Sequence, residues 1–344
     1  MFILFFILPA LVCYYMYHKD IISAKEDALL FLGVTCVLVT CLYFGMMYAK
    51  THDTLILNGS VTSKRSEHVS CSHSYSCNCT RDSKGNTSCQ TCYEHSFDID
   101  WNVYSDVGGV TISRVDRQGL LQPNRWSEVI IGEPFSSSVS YTNYVLGEKN
   151  SLFNYGKYNK EWVNSVPEYP VSIYDYYRAN RIIQLGTSLN TKPLDNAISE
   201  MLKTVGPNKQ ANVILVTTNN QDPSFHYSVR DKWINGKKND IVVVLGMNNN
   251  IIKWVESFSW NKNAEFPIKL QKGLINKDIY NTTDIISVLN DNITKYYVRK
   301  PMKEFEYLSS NISLDLWQIM LILVLSALSP IALHKAATYN KRRW

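Results

Sequence analysis

ALLFLGVTCVLVTCLYFGMMYA, residues 28–49, contains no charged side chain. At 1.5 Å of rise per residue, about twenty such residues cross a hydrocarbon layer of roughly 30 Å. Buried helices of soluble proteins rarely stay uncharged for so long, so the stretch predicts a membrane span. Near the other end, LWQIMLILVLSALSPIALH (316–334) predicts a second. Trp317 is placed there as an interfacial aromatic, and Pro330 lies where a kink is tolerated. A shorter apolar run, FILFFILPALVCYYMY, occupies 2–17. It lacks the basic residue before it and the small-residue cleavage site after it that mark a cleaved signal peptide. It reads as a short third span or a re-entrant segment.

Composition alone hides this pattern. A chain of 344 residues, 45% hydrophobic with a net charge of +5 and a mean hydropathy of −0.16, resembles a soluble protein with room for one or two domains. The charge is too weak to mark nucleic acid as a partner. Basic residues set the expected orientation. Lys335, Lys341, Arg342 and Arg343 place the C-terminus inside, and His18, Lys19 and Lys25, diluted by Asp20, Glu26 and Asp27, place the first loop there too. Residues 51–313 and the N-terminus then lie outside.

Just past the second apolar segment, CSHSYSCNC (71–79) and CQTCYEHS (89–96) concentrate five of the eight cysteines and, with His68, three of the seven histidines. Two readings compete. The pair Cys77 and Cys79 and the pair Cys89 and Cys92, joined by a turn-rich loop around Gly85, can wrap one structural zinc ion, with His73 or His95 as a substitute or neighbouring ligand. Alternatively, an exported domain meets an oxidising compartment and its cysteines form disulfides without metal. The odd count and the histidines favour zinc, with Cys71 left free or paired elsewhere. Four thiolates would close the site to water, so no catalysis is expected there. Cys13, Cys36 and Cys41 fall in apolar segments.

Residues 97–145 alternate and are rich in β-formers, predicting a small antiparallel module with turns at Gly108, Gly119 and Pro123. The pattern then changes. Leu194, Ile198, Met201, Leu202 and Val205 recur at helical spacing after Thr191 and Pro193, and Gly206 with Pro207 is expected to stop that helix. Continuous apolar runs at 213–216 and 241–245 predict strands covered on both faces. Phe225, Val229 and Trp233 mark a helix between them, and Ile252, Trp254, Phe258 and Trp260 alternate after the second. A last helix starts at Thr282 or Thr283. Strands alternating with helices imply a parallel or mixed sheet between helical layers.

WINGKKNDIVVVL (233–245) resembles the signature of the TPM-domain family, and the order of elements around it fits from about 144 to 308. The resemblance implies a three-layer α/β fold on the non-cytoplasmic side of a membrane. Some members are credited with calcium binding or acid phosphatase activity through acidic residues after the middle strands. The matching stretch here, 247–267, holds only Glu256 and Glu265, too few oxygen ligands for calcium. The segments CSHSYSCNC, CQTCYEHS, RVDRQG (114–119), PNRW (123–126), IGEP (131–134), YTNY (141–144) and SLF (151–153) are similar to membrane proteins of large tailed bacteriophages. That likeness implies a bacterial host, an inner-membrane location with a periplasmic ectodomain and a cytoplasmic C-terminus, and chance sequons at Asn58, Asn78, Asn86, Asn281, Asn292 and Asn311.

His226, near Asp222 and Asp231, could be a general base, but no activated nucleophile accompanies it and a surface histidine is the plainer reading. No phosphate-binding loop or hydrolase motif is present. Aromatic residues at 169–177 suit protein contacts. The expected whole is a membrane-anchored α+β protein. It has two N-terminal membrane segments (about 2–17 and 28–49), a Cys-rich knuckle and β module at 50–147, and a TPM-like α/β domain at 148–308. A span at 315–334 and a basic tail at 335–344 follow. Its expected role is non-enzymatic: to bind or scaffold envelope proteins, as lipid-embedded chain or homo-oligomer, in envelope modification or exclusion of competing phage. The alternative is a TPM-type periplasmic phosphatase.

Overall fold

The computed structural model describes residues 3–22, 24–83, 85–148, 160–170 and 172–341. The uncharged stretch is the body of helix α2 (Lys25–Thr51), which follows α1 (Leu4–His18). Glu26 and Asp27 in the first turn of α2 and Lys50 in its last complement the helix dipole. The chain continues through β1 (His52–Val69), β2 (Ser74–Arg81), β3 (Thr87–Tyr93), β4 (Asp98–Ser105), β5 (Gly108–Ile112), α3 (Asn124–Ser127), β6 (Pro134–Thr142) and α4 (Tyr144–Gly147). Next come α5 (Lys160–Ser165), β7 (Ile173–Tyr174), β8 (Arg178–Ala179), β9 (Ile182–Leu185), α6 (Lys192–Lys209), β10 (Asn212–Thr218) and α7 (Phe225–Lys232). The last elements are β11 (Asp240–Asn248), β12 (Ile251–Ser259), α8 (Glu265–Leu274), α9 (Thr282–Tyr296), a 3₁₀ helix at Met302–Asn311 and α10 (Leu316–Lys341). Phe2 of the first apolar run, residues 151–153 of the phage-like segments and Arg342 and Arg343 of the tail lie outside the described residues. Two compact units result: Met1–Asp53 with Tyr141–Ser151 and Met302–Trp344, and Thr54–Ser140 with Leu152–Pro301.

The first unit holds the apolar helices. Among the described residues, two helices are long and apolar enough to cross a membrane, Lys25–Thr51 and Leu316–Tyr339. Helix α1, with 15 residues, is only about 22 Å long. Helices α2 and α10 are antiparallel: Lys50 meets Asp315 at 3.2 Å, and Phe31 meets His334 edge-on at the other end. Helix α1 lies against both, with Phe5 near Val39 and Ile322, and Cys13 and Met16 near Ala28 and Phe31. Between α10 and α2, Ser329 Oγ donates to Thr35 Oγ1 at 2.8 Å, a polar link between the two helices.

The second unit contains two four-stranded sheets, ordered β5-β4-β1-β6 and β12-β11-β10-β9. Strand β1 has no counterpart in the sequence reading. In the second sheet β9, β10 and β11 are parallel and β12 turns back antiparallel. The runs Val213 to Val216 and Ile241 to Leu245 are fully buried, as a strand between two layers requires. Leu194, Ile198, Leu202 and Val205 of α6 pack with α8 and α9 against one face, through Leu215 and Val243. Phe225, Val229 and Trp233 pack on the other, against Ile214, Val216 and Val244. The crossovers through α6 and α7 step the same way across the sheet but cover opposite faces. One of them is therefore left-handed, against the strong general preference.

Helix α6 does not stop at Gly206 and Pro207 but runs to Lys209 and ends on Gln210 in the left-handed region, φ 51°. Gly206 serves packing instead: a Cβ there would lie 2.6 Å from the backbone oxygen of Asn58 on β1. The aromatic segment at 169–177 is only partly exposed: Tyr174 faces outward. Tyr177 is buried and stacks on Phe135 of the β module, and Tyr169 packs on Trp233. Around Arg181 a buried polar network ties the β module to the α/β half. Its guanidinium donates to Asn58 Oδ1 at 2.6 Å, Ser136 Oγ at 2.8 Å and Asn212 Oδ1 at 2.6 Å. Asn212 Nδ2 in turn donates to Asp240 Oδ1 at 2.9 Å, and Tyr169 Oη to Asp240 Oδ2 at 2.7 Å. Burial lowers the Arg181 pKa to about 10 and raises that of Asp240, so the hydrogen bonds offset a real desolvation cost.

Candidate metal centre

Strands β2 and β3 form a separate two-stranded ribbon, with Ser74 opposite Tyr93 and Tyr75 opposite Cys92. Nearly all of its residues are exposed, on both faces. Cys77 is bonded to Cys92 and Cys79 to Cys89. The four sulfurs expected around one zinc are thus paired across the ribbon. The reason is geometric: opposed strands bring Cβ atoms from the two sides within bonding reach of each other, whereas a knuckle needs the chain to fold both pairs toward one point.

The two histidines of the predicted set do come together, with different partners. Among the described residues, Cys71, His73, His95 and Asp98 offer ligand atoms that all lie within 4.8 Å of one another. They sit where the chain crosses from sheet to ribbon. Cys71 and His73 lie between β1 and β2, His95 lies between β3 and β4, and Asp98 opens β4 opposite Val69. The Glu94 N–H donates to the His73 carbonyl at 3.0 Å, closing the two crossings on each other.

Asp98 is buried and oriented. Its Oδ2 accepts from the Ser72 N–H at 3.0 Å, Ser72 Oγ at 3.2 Å and Arg114 Nη1 at 2.7 Å. Arg114 is itself held by Asp100 at 2.7 Å. The Ser72 N–H above all, with help from Arg114 and Cys71 and against the effect of burial, holds the Asp98 carboxyl well below the usual carboxylate range. Its other oxygen, Oδ1, faces His95 Nδ1 at 3.3 Å, and the same Nδ1 is 3.7 Å from Cys71 Sγ.

That shared nitrogen decides between two chemistries. A nucleophilic cysteine with a histidine base and an orienting carboxylate needs thiol and carboxylate on opposite ring nitrogens. Here both face Nδ1, which leaves no such relay. Ligand atoms bonded to a tetrahedral zinc at about 2.0–2.3 Å stand about 3.3–3.7 Å apart; His95 Nδ1 lies at 3.3 and 3.7 Å from Asp98 Oδ1 and Cys71 Sγ, and the four ligand atoms together lie within 4.8 Å. The site can hold a metal ion.

The sequence reading missed Cys71 and Asp98. The signal was the spacing itself, Cys71-x-His73 and His95-x-x-Asp98, obscured by the denser cysteine pairs between them. The other candidates are dispersed. His226 is buried, not at the surface, and its Nδ1 donates to the Pro223 carbonyl at 2.8 Å. Glu256 lies in β12 beside Gln271, Glu265 opens α8, and Asp240 is sealed in the Arg181 network. The crevice beyond the C-terminal ends of the parallel strands, about 440 Å³, is lined by Gly186, Thr187, Asn219, Asn249 and Asn250 among others, with no carboxylate. Compared with known families, curated proteins and solved structures, the chain matches none.

Proposed function

We propose that this is a membrane-anchored binding protein whose disulfide-locked ribbon recognises another envelope protein. The observation that carries the reading is the ribbon. An isolated two-stranded hairpin is marginal in water, and this one buries almost nothing, yet it is cross-linked at two rungs. Covalent staples on a strand pair exposed on both faces suit a rigid recognition element. Tyr75 and Tyr93, both more than half exposed on neighbouring rungs, are residues that commonly anchor protein contacts.

Anchoring is supported by the helices. The apolar windows of α2 and α10 are only 17% and 22% buried, whereas the core helix of a soluble protein hides its apolar face. Exposed apolar surface of that size calls for lipid. Disulfides form in oxidising compartments, which favours the ribbon's unit outside and, in the phage-like reading, in the periplasm. Antiparallel α2 and α10 return the C-terminus to the side of the first loop, in keeping with the basic tail inside.

The test is cross-linking in intact bacterial membranes, followed by purification of the full chain in mild detergent. A specific partner should be lost, with both disulfides intact, in Tyr75→Ser with Tyr93→Ser. An unchanged set of partners sinks the recognition role. Turnover of a generic phosphomonoester with calcium or magnesium, abolished by Glu256→Gln, would favour the phosphatase instead. Alkaline phosphatase fused after Lys160 should be active and after Trp344 inactive; the opposite pattern reverses the topology.

A further inference from the structure

We infer that Cys71, His73, His95 and Asp98 bind one zinc ion, which clamps the base of the ribbon to the sheet below it. Such a clamp is independent of what the ribbon recognises. Four ligands of the types zinc takes, one thiolate, two imidazoles and one carboxylate, come within 4.8 Å of one another from two chain crossings, with His73 Nδ1 3.8 Å from Asp98 Oδ2. Asp98 is prepared for this. Its Oδ2 is fully engaged by Ser72 and Arg114, which leaves Oδ1 aimed at the point shared with Cys71 Sγ and His95 Nδ1. A hydrogen-bonded carboxylate of this kind is the usual support around a metal ligand.

Cysteine arithmetic points the same way. Of the five cysteines in the second unit, Cys77, Cys79, Cys89 and Cys92 are consumed by disulfides, and Cys71 remains. Cys71 is buried at the junction, where a thiol with no cysteine partner is available as a metal ligand. The side chains of His73 and His95 keep 29% and 26% of their surface open, enough for an ion to arrive from solvent. Copper is the competing metal for a cysteine and two histidines, but its electron-transfer sites take a long, weak fourth ligand. Asp98 offers a charged carboxylate oxygen in place of that weak ligand, a donor that suits the tetrahedral ion.

Structurally, the ion would do what the ribbon cannot do for itself. The disulfides tie β2 to β3 but do not reach the sheet. The two crossings carry the four ligands, so one ion bridges β1, β2, β3 and β4 at their junction.

The experiment uses the full chain, purified from membranes in mild detergent and dialysed against a weak chelator, with metals measured by plasma emission. The expected result is about one zinc per chain in the wild type and in Cys77→Ser with Cys92→Ser, and at least a tenfold loss in Cys71→Ala and His95→Gln. Arg114→Gln, which frees Asp98 without touching the ion, should weaken zinc by about 10–100-fold. Two readouts guard against misfolded variants. Cobalt loaded into the wild type should show tetrahedral visible bands with a thiolate charge-transfer band, the latter lost in Cys71→Ala. A maleimide should label Cys71 of the wild type only after a strong chelator strips the ion. Three results would overturn the inference. They are a metal-free wild type with Cys71 freely labelled, copper in place of zinc, and zinc that survives Cys71→Ala but leaves with Cys77 and Cys92.

Discussion

Replacing Gly206 by alanine sets helix propensity against packing, and the structure says which wins. In an exposed helix interior the change stabilises by about 1 kcal/mol, because glycine loses more backbone freedom on folding. Here the new methyl would lie 2.6 Å from the Asn58 carbonyl oxygen and 2.8 Å from Asn58 Cβ, where about 3.3 Å is the ordinary close limit for carbon and oxygen. Roughly 0.7 Å must be relieved by moving β1 or α6. Asn58 cannot yield cheaply: its Nδ2 donates to the Ala211 carbonyl at 3.1 Å, and its Oδ1 accepts from Arg181 at 2.6 Å. Overpacking of this kind costs about 1–3 kcal/mol, and the stretched Arg181 network adds to it, so a net loss of about 1–3 kcal/mol is expected after the propensity gain. For a unit of this size that is a fall in Tm of about 2–4 °C per kcal/mol. Thermal unfolding of the full chain in detergent, wild type beside Gly206→Ala, measures it. An unchanged or higher Tm would refute the close approach of β1 to α6.

Asp240→Asn should cost about 1–3 kcal/mol, because Asn212 Nδ2, Tyr169 Oη and the Lys237 N–H all donate to its two oxygens and an amide cannot accept all three; urea midpoints check this. His226 is buried, and desolvation lowers its pKa, with Glu256 opposing and Arg230 assisting. A base with a depressed folded pKa contributes no penalty above its unfolded value of about 6.5 and loses stability as pH falls through that value toward the folded one. Urea midpoints should therefore drop on acidification through that window, and the drop should shrink in His226→Gln; equal slopes in both proteins contradict the burial. Removing the ribbon disulfide nearer the sheet by Cys77→Ser with Cys92→Ser releases a crosslink between residues 15 apart; with Cys79–Cys89 kept, the loss of ribbon stability is at most about 3 kcal/mol. The same disulfide-free rungs should be cut faster by a protease in limited digestion followed by mass spectrometry.

Features set by local periodicity were legible in the sequence. The uncharged run at 28–49 can only be satisfied as a helix with apolar surroundings, and α2 is that helix. The runs at 213–216 and 241–245 have no polar side, so they form strands covered on both faces, and the last helix of the α/β half starts at Thr282 as expected. What the sequence could not decide depended on which distant residues meet. Pro207 ends a helix by local rules, yet α6 continues to Lys209 because five apolar side chains before it are anchored in the core and β1 presses on Gly206. Spacing allowed the ribbon cysteines either a common ion or cross-strand bonds, and the antiparallel register of β2 and β3 chose the bonds. The same register brought His95 and Asp98 beside Cys71 and His73, residues separated by more than twenty positions, because β1 and β4 pair directly below the ribbon. A metal centre is a set of distances in space, and only the folding of those strands supplied them.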